Sequence, residues 1–397
     1  MRSKSCDIFC SVVDNYGDIG VCWRLARQLA NEHGLNVRLW VDDLRSFGKL
    51  CPELDVGLDE QRCRGVEVRR WDDKTFCVPA NSLPRKRERV ADRPGEGVAE
   101  LVIEAFACRL PQSYVEAMAA REPKPVWLNL EYLSAEDWVE GCHKLPSPHP
   151  SLPLTKYFFF PGFTDKTGGL LLEHDLFARR DAFQGDTGVQ ECYWRSLGVP
   201  ERVAGEVRVS LFSYENEAME ALLRGWELGD QPVTCLLPEG RSLPQVASYF
   251  GQQVGKAGAI WQCGNLRVHV LPFVEQERYD ELLWACDVNF VRGEDSCVRA
   301  QWAAKPFIWH TYPQHDGVHL EKLEALRARY TAGLPPEAAQ AVRDLWLAWN
   351  GGQDVAEAWK RFELQRETLA AHGTEWARRL ASNNIALNLL DFFRQVA

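Results

Sequence analysis

The chain has 397 residues, with 46 Lys plus Arg against 56 Asp plus Glu, a formal net charge of −10. That length exceeds one ordinary core and predicts two domains. Hydrophobic residues at 46% and charged residues at 26% describe a globular chain and exclude a disordered one. The acidic balance excludes a nucleic-acid coat, which needs a positive field, and leaves enzymes and partner-binding proteins open. Fifteen Trp and 18 Phe supply large cores or aromatic binding surfaces.

The apolar run from Ile8 stops at Asp14 without a small-residue cleavage site, so it reads as a first strand, not a signal peptide. No stretch approaches 18 apolar residues, which excludes a transmembrane helix. The 13 cysteines are scattered and form no Cys-x-x-Cys pair. Reduced buried thiols and a cytoplasmic location are therefore expected, with no disulfide framework or structural zinc. Residues 6–13 predict a strand, Asn15 to Gly20 a tight turn, and residues 21–33 a helix with Val21, Leu25 and Leu29 on one face and Gly34 as its stop. Residues 36–43 alternate Val37, Leu39 and Val41, a second strand, so the opening is a βαβ unit. Further strands are expected at 101–105, 126–130 and 157–160. Between Trp71 and Glu100 the pattern fades into an exposed insertion. Its basic run, residues 85–89, reads either as a solvated loop or as a contact for an acidic partner.

A second alternation begins near Val207, with strands at 207–212, 233–237, 266–271, 287–291 and 306–310 and helices at 217–228, 243–253, 276–286 and 296–304. Residues 178–203 read as a polar linker, and beyond Pro335 the chain is helical. The fold class is α/β: two doubly wound domains, residues 1–180 and 181–377, facing across a cleft. A final helix, 378–397, is expected to pack back on the first domain. Ligands should lie at the carboxyl ends of the strands.

Four segments could carry chemistry. In the first turn, Gly17 and Gly20 let a ligand approach the backbone, and the following helix offers its positive end. Asp14 and Asp18 stand there as two carboxylates, although helix capping would also account for Asp18. This turn is not Gly-x-Gly-x-x-Gly, so dinucleotide binding is poorly supported. The second segment, Arg292-Gly293-Glu294-Asp295-Ser296, follows a strand and opens a helix; it is either a phosphate cradle or an ordinary acidic helix start. Third, Phe212, Tyr214 and Phe273 at strand ends suit stacking on a base or sugar, or belong to the core. Fourth, His315, Asp316 and His319 raise a metal site, but Pro313 and Gly317 break the helix and no fourth ligand is indicated.

The stretch from Cys10 to Leu29, including Asp14-Asn15-Tyr16-Gly17-Asp18-Ile19-Gly20, resembles the EarP family of bacterial protein-arginine rhamnosyltransferases. So do Tyr157 to Phe163, Leu211 to Glu215, Leu271 to Val274, Arg292 to Ser296 and His310 to Gln314, in order along the chain. The resemblance implies a GT-B glycosyltransferase with two Rossmann-like domains. It implies dTDP-β-L-rhamnose as donor and one arginine of the N-terminal domain of translation elongation factor P as acceptor, with no cofactor, metal, nucleic acid or membrane. The modification would activate the factor for rescue of ribosomes stalled at polyproline. The resemblance makes Asp14, Asp18 and Glu294 the essential acidic residues, and puts Tyr16, Gly17, Phe212, Tyr214, Phe273, Gln276, Arg292, Asp295, Ser296 and Tyr312 on the donor side. The alternatives are another GT-B nucleotide-sugar enzyme, with a different acceptor or acting as an epimerase, and a non-catalytic nucleotide-sugar sensor. Several carboxylates near an anionic donor favour catalysis, because a pure binder gains nothing from them.

Overall fold

The computed structural model describes residues 4–13, 16–72, 97–253, 255–313, 317–351 and 354–397. Asp14, the basic run 85–89, His315 and Asp316 lie outside the described residues. The chain forms two compact units, one of Met1–Leu133, Trp138–Leu171 and Asn383–Ala397, the other of Ser134–Asp137 and Leu172–Ser382. Against a division read after residue 180, the chain changes unit after Leu171, and the segment returning to the first unit starts at Asn383.

The first unit contains β1 (Ser5–Cys10), α1 (Gly17–Asn31), β2 (Asn36–Val41), α2 (Leu44–Leu50), β3 (Glu60–Cys63) and β4 (Val66–Arg70). It continues with β5 (Leu101–Ala105), α3 (Gln112–Ala120), β6 (Val126–Leu130), α4 (Trp138–Cys142), β7 (Pro146–Pro148) and β8 (Thr155–Phe159). Its sheet runs β3-β4-β2-β1-β5-β6-β8-β7, parallel inside and antiparallel at the outer pairs β3/β4 and β7/β8. The inner strands are mostly apolar, as helix-covered parallel strands tend to be, and their buried carboxylates are paired, Asp7 with Arg38 at 2.6 Å and Glu104 with Lys156 at 3.2 Å. Phe9 stacks on Trp40 with ring centroids 5.5 Å apart. Trp71, Tyr114 and Trp127 complete that core.

The first helix starts earlier than the sequence spacing suggests. Gly20 N–H donates to the Tyr16 carbonyl at 2.9 Å, so residues 17–20, expected as a tight turn, form the first turn of α1. The two glycines lower helix propensity, but Ile19, Cys22, Trp23 and Leu25 are buried and packing overrides it.

The second unit contains α5 (Leu176–Gly185), α6 (Thr187–Ser196), β9 (Val207–Leu211), α7 (Met219–Leu228), β10 (Val233–Pro238), α8 (Leu243–Tyr249), β11 (Ile260–Cys263) and β12 (Leu266–Leu271). There follow α9 (Gln276–Ala285), β13 (Val288–Arg292), α10 (Asp295–Trp302), β14 (Phe307–His310), α11 (Val318–Thr331), α12 (Pro336–Gly351), α13 (Val355–Leu364) and α14 (Arg366–Leu380). A last helix, α15 (Ile385–Val396), belongs to the first unit. The second sheet runs β11-β12-β10-β9-β13-β14, with only the β11/β12 pair antiparallel. In both sheets the first strand of the unit is central and the order reverses beside it, between β1 and β5 and between β9 and β13. These are the switch points where α/β sheets bind ligands.

The segment read as a polar linker is helical instead. Phe183 of α5 meets Tyr193 and Trp284 at 5.6 and 5.8 Å, and Arg180 donates to the Trp302 carbonyl at 2.8 Å. A few aromatic anchors dock these otherwise polar helices onto the second unit. Of the fifteen tryptophans, all but Trp138 and Trp261 are buried. The aromatic excess therefore serves mainly the cores, for instance where Phe290 meets Trp349 at 4.9 Å and Trp226 meets Trp359 at 5.3 Å. Among the described residues no helix is long and apolar enough to cross a membrane.

Candidate active site

In the second unit the predicted residues converge on the carboxyl ends of β9, β13 and β14. Arg292 closes β13 and is 5% exposed. Its guanidinium lies 4.6 Å from the Phe212 ring and 4.5 Å from the Tyr214 ring. A buried and a half-buried aromatic ring hold the cation and fix its direction. Tyr214 in turn meets Tyr312 edge-on at 5.4 Å, and Tyr312 is half exposed. Phe273 lies just past β12, ahead of Gln276, which begins α9.

The turn from β13 into α10 has the strand–glycine–helix form expected of a phosphate cradle. Gly293 has φ +63°, a left-handed conformation that glycine adopts without strain. Ser296 accepts from Arg292 N–H at 3.2 Å and donates back to the Arg292 carbonyl, so its hydroxyl is spent on closing this turn. The element of this segment suited to an anion is thus the start of α10 rather than the Ser296 side chain. Asp295 accepts from Gln276 at 3.3 Å, which joins the first residues of α9 and α10. Glu294 is paired with Lys322 of α11 at 3.3 Å. Lys322 has no local motif and was not anticipated from the sequence.

His310 ends β14 against Tyr214 and Trp349, at 5.4 and 5.7 Å. Burial, with Arg292 and His319 nearby, pushes its pKa down to about 3, so it is neutral at physiological pH. Its Nδ1 is buried and has no hydrogen-bond partner among the described residues. Burial likewise pushes the Tyr279 hydroxyl above its ordinary value beside Phe212, 5.6 Å ring to ring. Asn350 of α12 holds the Thr311 N–H and hydroxyl at 3.1 and 3.0 Å and donates to the Trp309 carbonyl at 2.8 Å, bracing the segment that carries Tyr312.

Tyr16, Gly17 and Asp18 belong to the first unit. Asp18, in the first turn of α1, is 3% exposed and accepts from Val13 N–H at 2.9 Å. Asp42 holds the preceding residues, accepting from Val12 N–H at 2.9 Å and from the Ser11 hydroxyl. The β1–α1 connection is therefore pinned by two carboxylates, and Asp18 serves the local fold whatever else it does. The Cys10 thiol is pushed up by its hydrogen bond to Cys22, by burial and by the nearby Asp18 charge. Every described cysteine is a free thiol. Among the described residues one group has metal-ligand atoms close together, Cys51, Glu53 and Cys63. Glu53 is already paired with Arg64 at 2.9 Å, and three ligands fall short of the four of a closed zinc site.

A family model described as the elongation-factor P (EF-P) rhamnosyltransferase EarP matches residues 6–394. The chain belongs to the EarP family. A protein-arginine rhamnosyltransferase of Pseudomonas putida is 51% identical over 389 residues, covering 98% of both chains. One of Pseudomonas aeruginosa is 47% identical over 390 residues with the same coverage. A solved structure concerned with EarP-mediated arginine glycosylation of translation elongation factor EF-P is 35% identical, spans all of both chains and superposes with a TM-score of 0.67. The chain is thus an EarP-family rhamnosyltransferase acting on arginine, with the two parallel-rich sheets of a GT-B glycosyltransferase.

Proposed function

We propose that this enzyme transfers L-rhamnose from dTDP-β-L-rhamnose to one arginine of translation elongation factor P, in the cytoplasm, with inversion and without a metal or cofactor. The observation that carries the donor side is the Arg292 guanidinium between Phe212 and Tyr214, beside the start of α10. A nucleoside diphosphate needs an aromatic face for its base and a cation for its phosphates, and this half-site has both.

The acceptor sets the chemical problem. A guanidinium is protonated at physiological pH and is a poor nucleophile. In the proposed step a guanidinium nitrogen forms a bond to the anomeric carbon as the bond from that carbon to the diphosphate oxygen breaks. The departing dTDP keeps the electron pair, and the start of α10 with Arg292 stabilises it. The attacking nitrogen loses its proton to Asp18, with Asp14 assisting and Glu294 adding negative charge. Carboxylates hold a planar cation through charge-assisted bonds and aim one nitrogen. A single displacement inverts the anomeric centre, from β to α.

Incubating the enzyme with dTDP-β-L-rhamnose and elongation factor P, with and without a chelator, and measuring intact mass tests this reading. One deoxyhexose on the factor in both samples, with an α linkage by NMR, supports it. Conversion of the nucleotide sugar with no transfer would assign an epimerase instead.

A further inference from the structure

The carboxyl end of the first sheet holds a second constellation. Three non-glycine residues after β5 have left-handed backbone: Phe106 (φ +55°), Ala107 (φ +53°) and Arg109 (φ +56°). Such conformations persist where the surroundings impose them. Here Phe106 N–H donates to the Leu130 carbonyl at 2.7 Å, Ala107 N–H to Asn129 Oδ1 at 3.2 Å, and Arg109 N–H to Glu104 at 3.2 Å. The Cys108 thiol reaches the Phe9 carbonyl at 3.4 Å. The loop is thereby laid across the ends of β1 and β6.

The outcome is an aromatic platform of Phe106 and Tyr132, with Glu131 the residue directly before Tyr132. Phe106 stacks on Tyr132 with centroids 4.6 Å apart and 20° between planes, and Tyr132 is 41% exposed. The Asn129 amide that receives Ala107 also donates to Glu131, so one side chain fixes both loop and carboxyl. Burial raises the Glu131 carboxyl above its ordinary value, opposed by its hydrogen bond from Asn129 and by the nearby Lys156 charge. A flat aromatic stack next to a partly desolvated carboxyl suits a guanidinium, which stacks on rings and binds a carboxylate through two parallel bonds.

We propose that Glu131 and the Phe106–Tyr132 stack form a subsite for the guanidinium of the acceptor arginine. This rests on the arginine-transfer reading above and adds to it the place where the first unit grips that side chain. β1 and β6 flank β5, so the subsite lies about two strand spacings, roughly 10 Å, from the end of β1, after which α1 opens with Asp18 in its first turn.

The test compares wild type with Glu131→Gln, Tyr132→Ala and Tyr132→Phe. Glu131→Gln and Tyr132→Ala should raise KM for elongation factor P about tenfold or more, with unchanged calorimetric affinity for dTDP-rhamnose. Tyr132→Phe, which keeps the platform, should match wild type. N-acetylarginine amide, titrated by NMR, should bind wild type and lose binding in Glu131→Gln. Equal binding of this probe by both proteins, or acceptor KM within twofold for both disruptive variants, would overturn the subsite. If wild type binds the probe through Glu131 yet leaves elongation factor P unmodified, the subsite stands and the choice of acceptor protein fails.

Discussion

Replacing Asp280 by Ala should destabilise the second unit and disturb the donor half-site together. Arg299 of α10 is 1% exposed; its Nε and Nη2 reach the two Asp280 oxygens of α9 at 2.9 and 2.7 Å. Its Nη1 reaches Glu173 at 2.7 Å. Without Asp280 a buried guanidinium keeps Glu173 as its carboxylate partner. Breaking a buried ion pair costs about 3–5 kcal/mol, and the remaining carboxylate places this variant near the lower end. For a unit of this size, about 3 kcal/mol lowers Tm by roughly 6–12 °C. Because Asp280 and Arg299 tie α9 to α10, whose first residues are Gln276 and Asp295, affinity for dTDP-rhamnose should fall as well. The control is Asp391→Ala, which breaks a pair with Arg394 whose side chains are 62% and 66% exposed and should cost below about 1 kcal/mol. Urea unfolding followed by tryptophan fluorescence, calorimetric Tm and donor titration supply the readouts. An Asp280→Ala loss no larger than that of Asp391→Ala would refute the reasoning.

Asp18→Asn should abolish transfer in the mass assay while dTDP-rhamnose still binds; near-normal turnover would remove Asp18 from its catalytic role. Arg292→Lys keeps the charge but loses the planar fork between Phe212 and Tyr214, so donor Kd by calorimetry should rise about tenfold; an unchanged Kd contradicts that geometry. His143, His269 and His310 are pushed down to about 4, 4 and 3 by burial. Below pH 6.5 the unfolded chain binds protons that the folded chain refuses, so stability should fall from pH 6.5 towards 4, each histidine adding a slope of up to about 1.4 kcal/mol per pH unit. His269→Gln should flatten that slope in urea titrations at several pH values; an identical slope would show that this ring is not responsible.

The parts of the fold legible in the sequence are those with a strong period. Strands β1, β2 and β9 to β14 are mostly apolar runs bounded by turns, although the exposed edge strand β11 was not anticipated, nor were β3 and β4. The helices α5 and α6 escaped because their docking rests on a few aromatics, Phe183, Tyr193 and Trp194, in otherwise polar stretches. The β13–α10 turn was visible because strand, glycine, acidic pair and helix follow one another directly. Lys322 was invisible because its partner Glu294 lies in another element. The Phe106–Tyr132 platform was equally hidden, since left-handed backbone at non-glycine residues leaves no compositional trace.

The return of α15 to the first unit bears on how the polypeptide is made. Ile385, Ala386, Leu389 and Phe393 are buried within that unit, and Asn384 caps the helix by accepting from Ala386 and Leu387 N–H at 2.9 and 3.3 Å. Gly169 approaches so closely that a Cβ there would lie 2.3 Å from the Asn383 carbonyl oxygen. The unit that leaves the ribosome first is therefore the last to be finished, because residues 383–397 emerge after the whole second unit. Until then its apolar seat stands open, the kind of nascent surface that chaperones shield. A fragment ending at Leu171 would carry the same unfilled seat, so cutting the gene between the units does not yield an independent first domain.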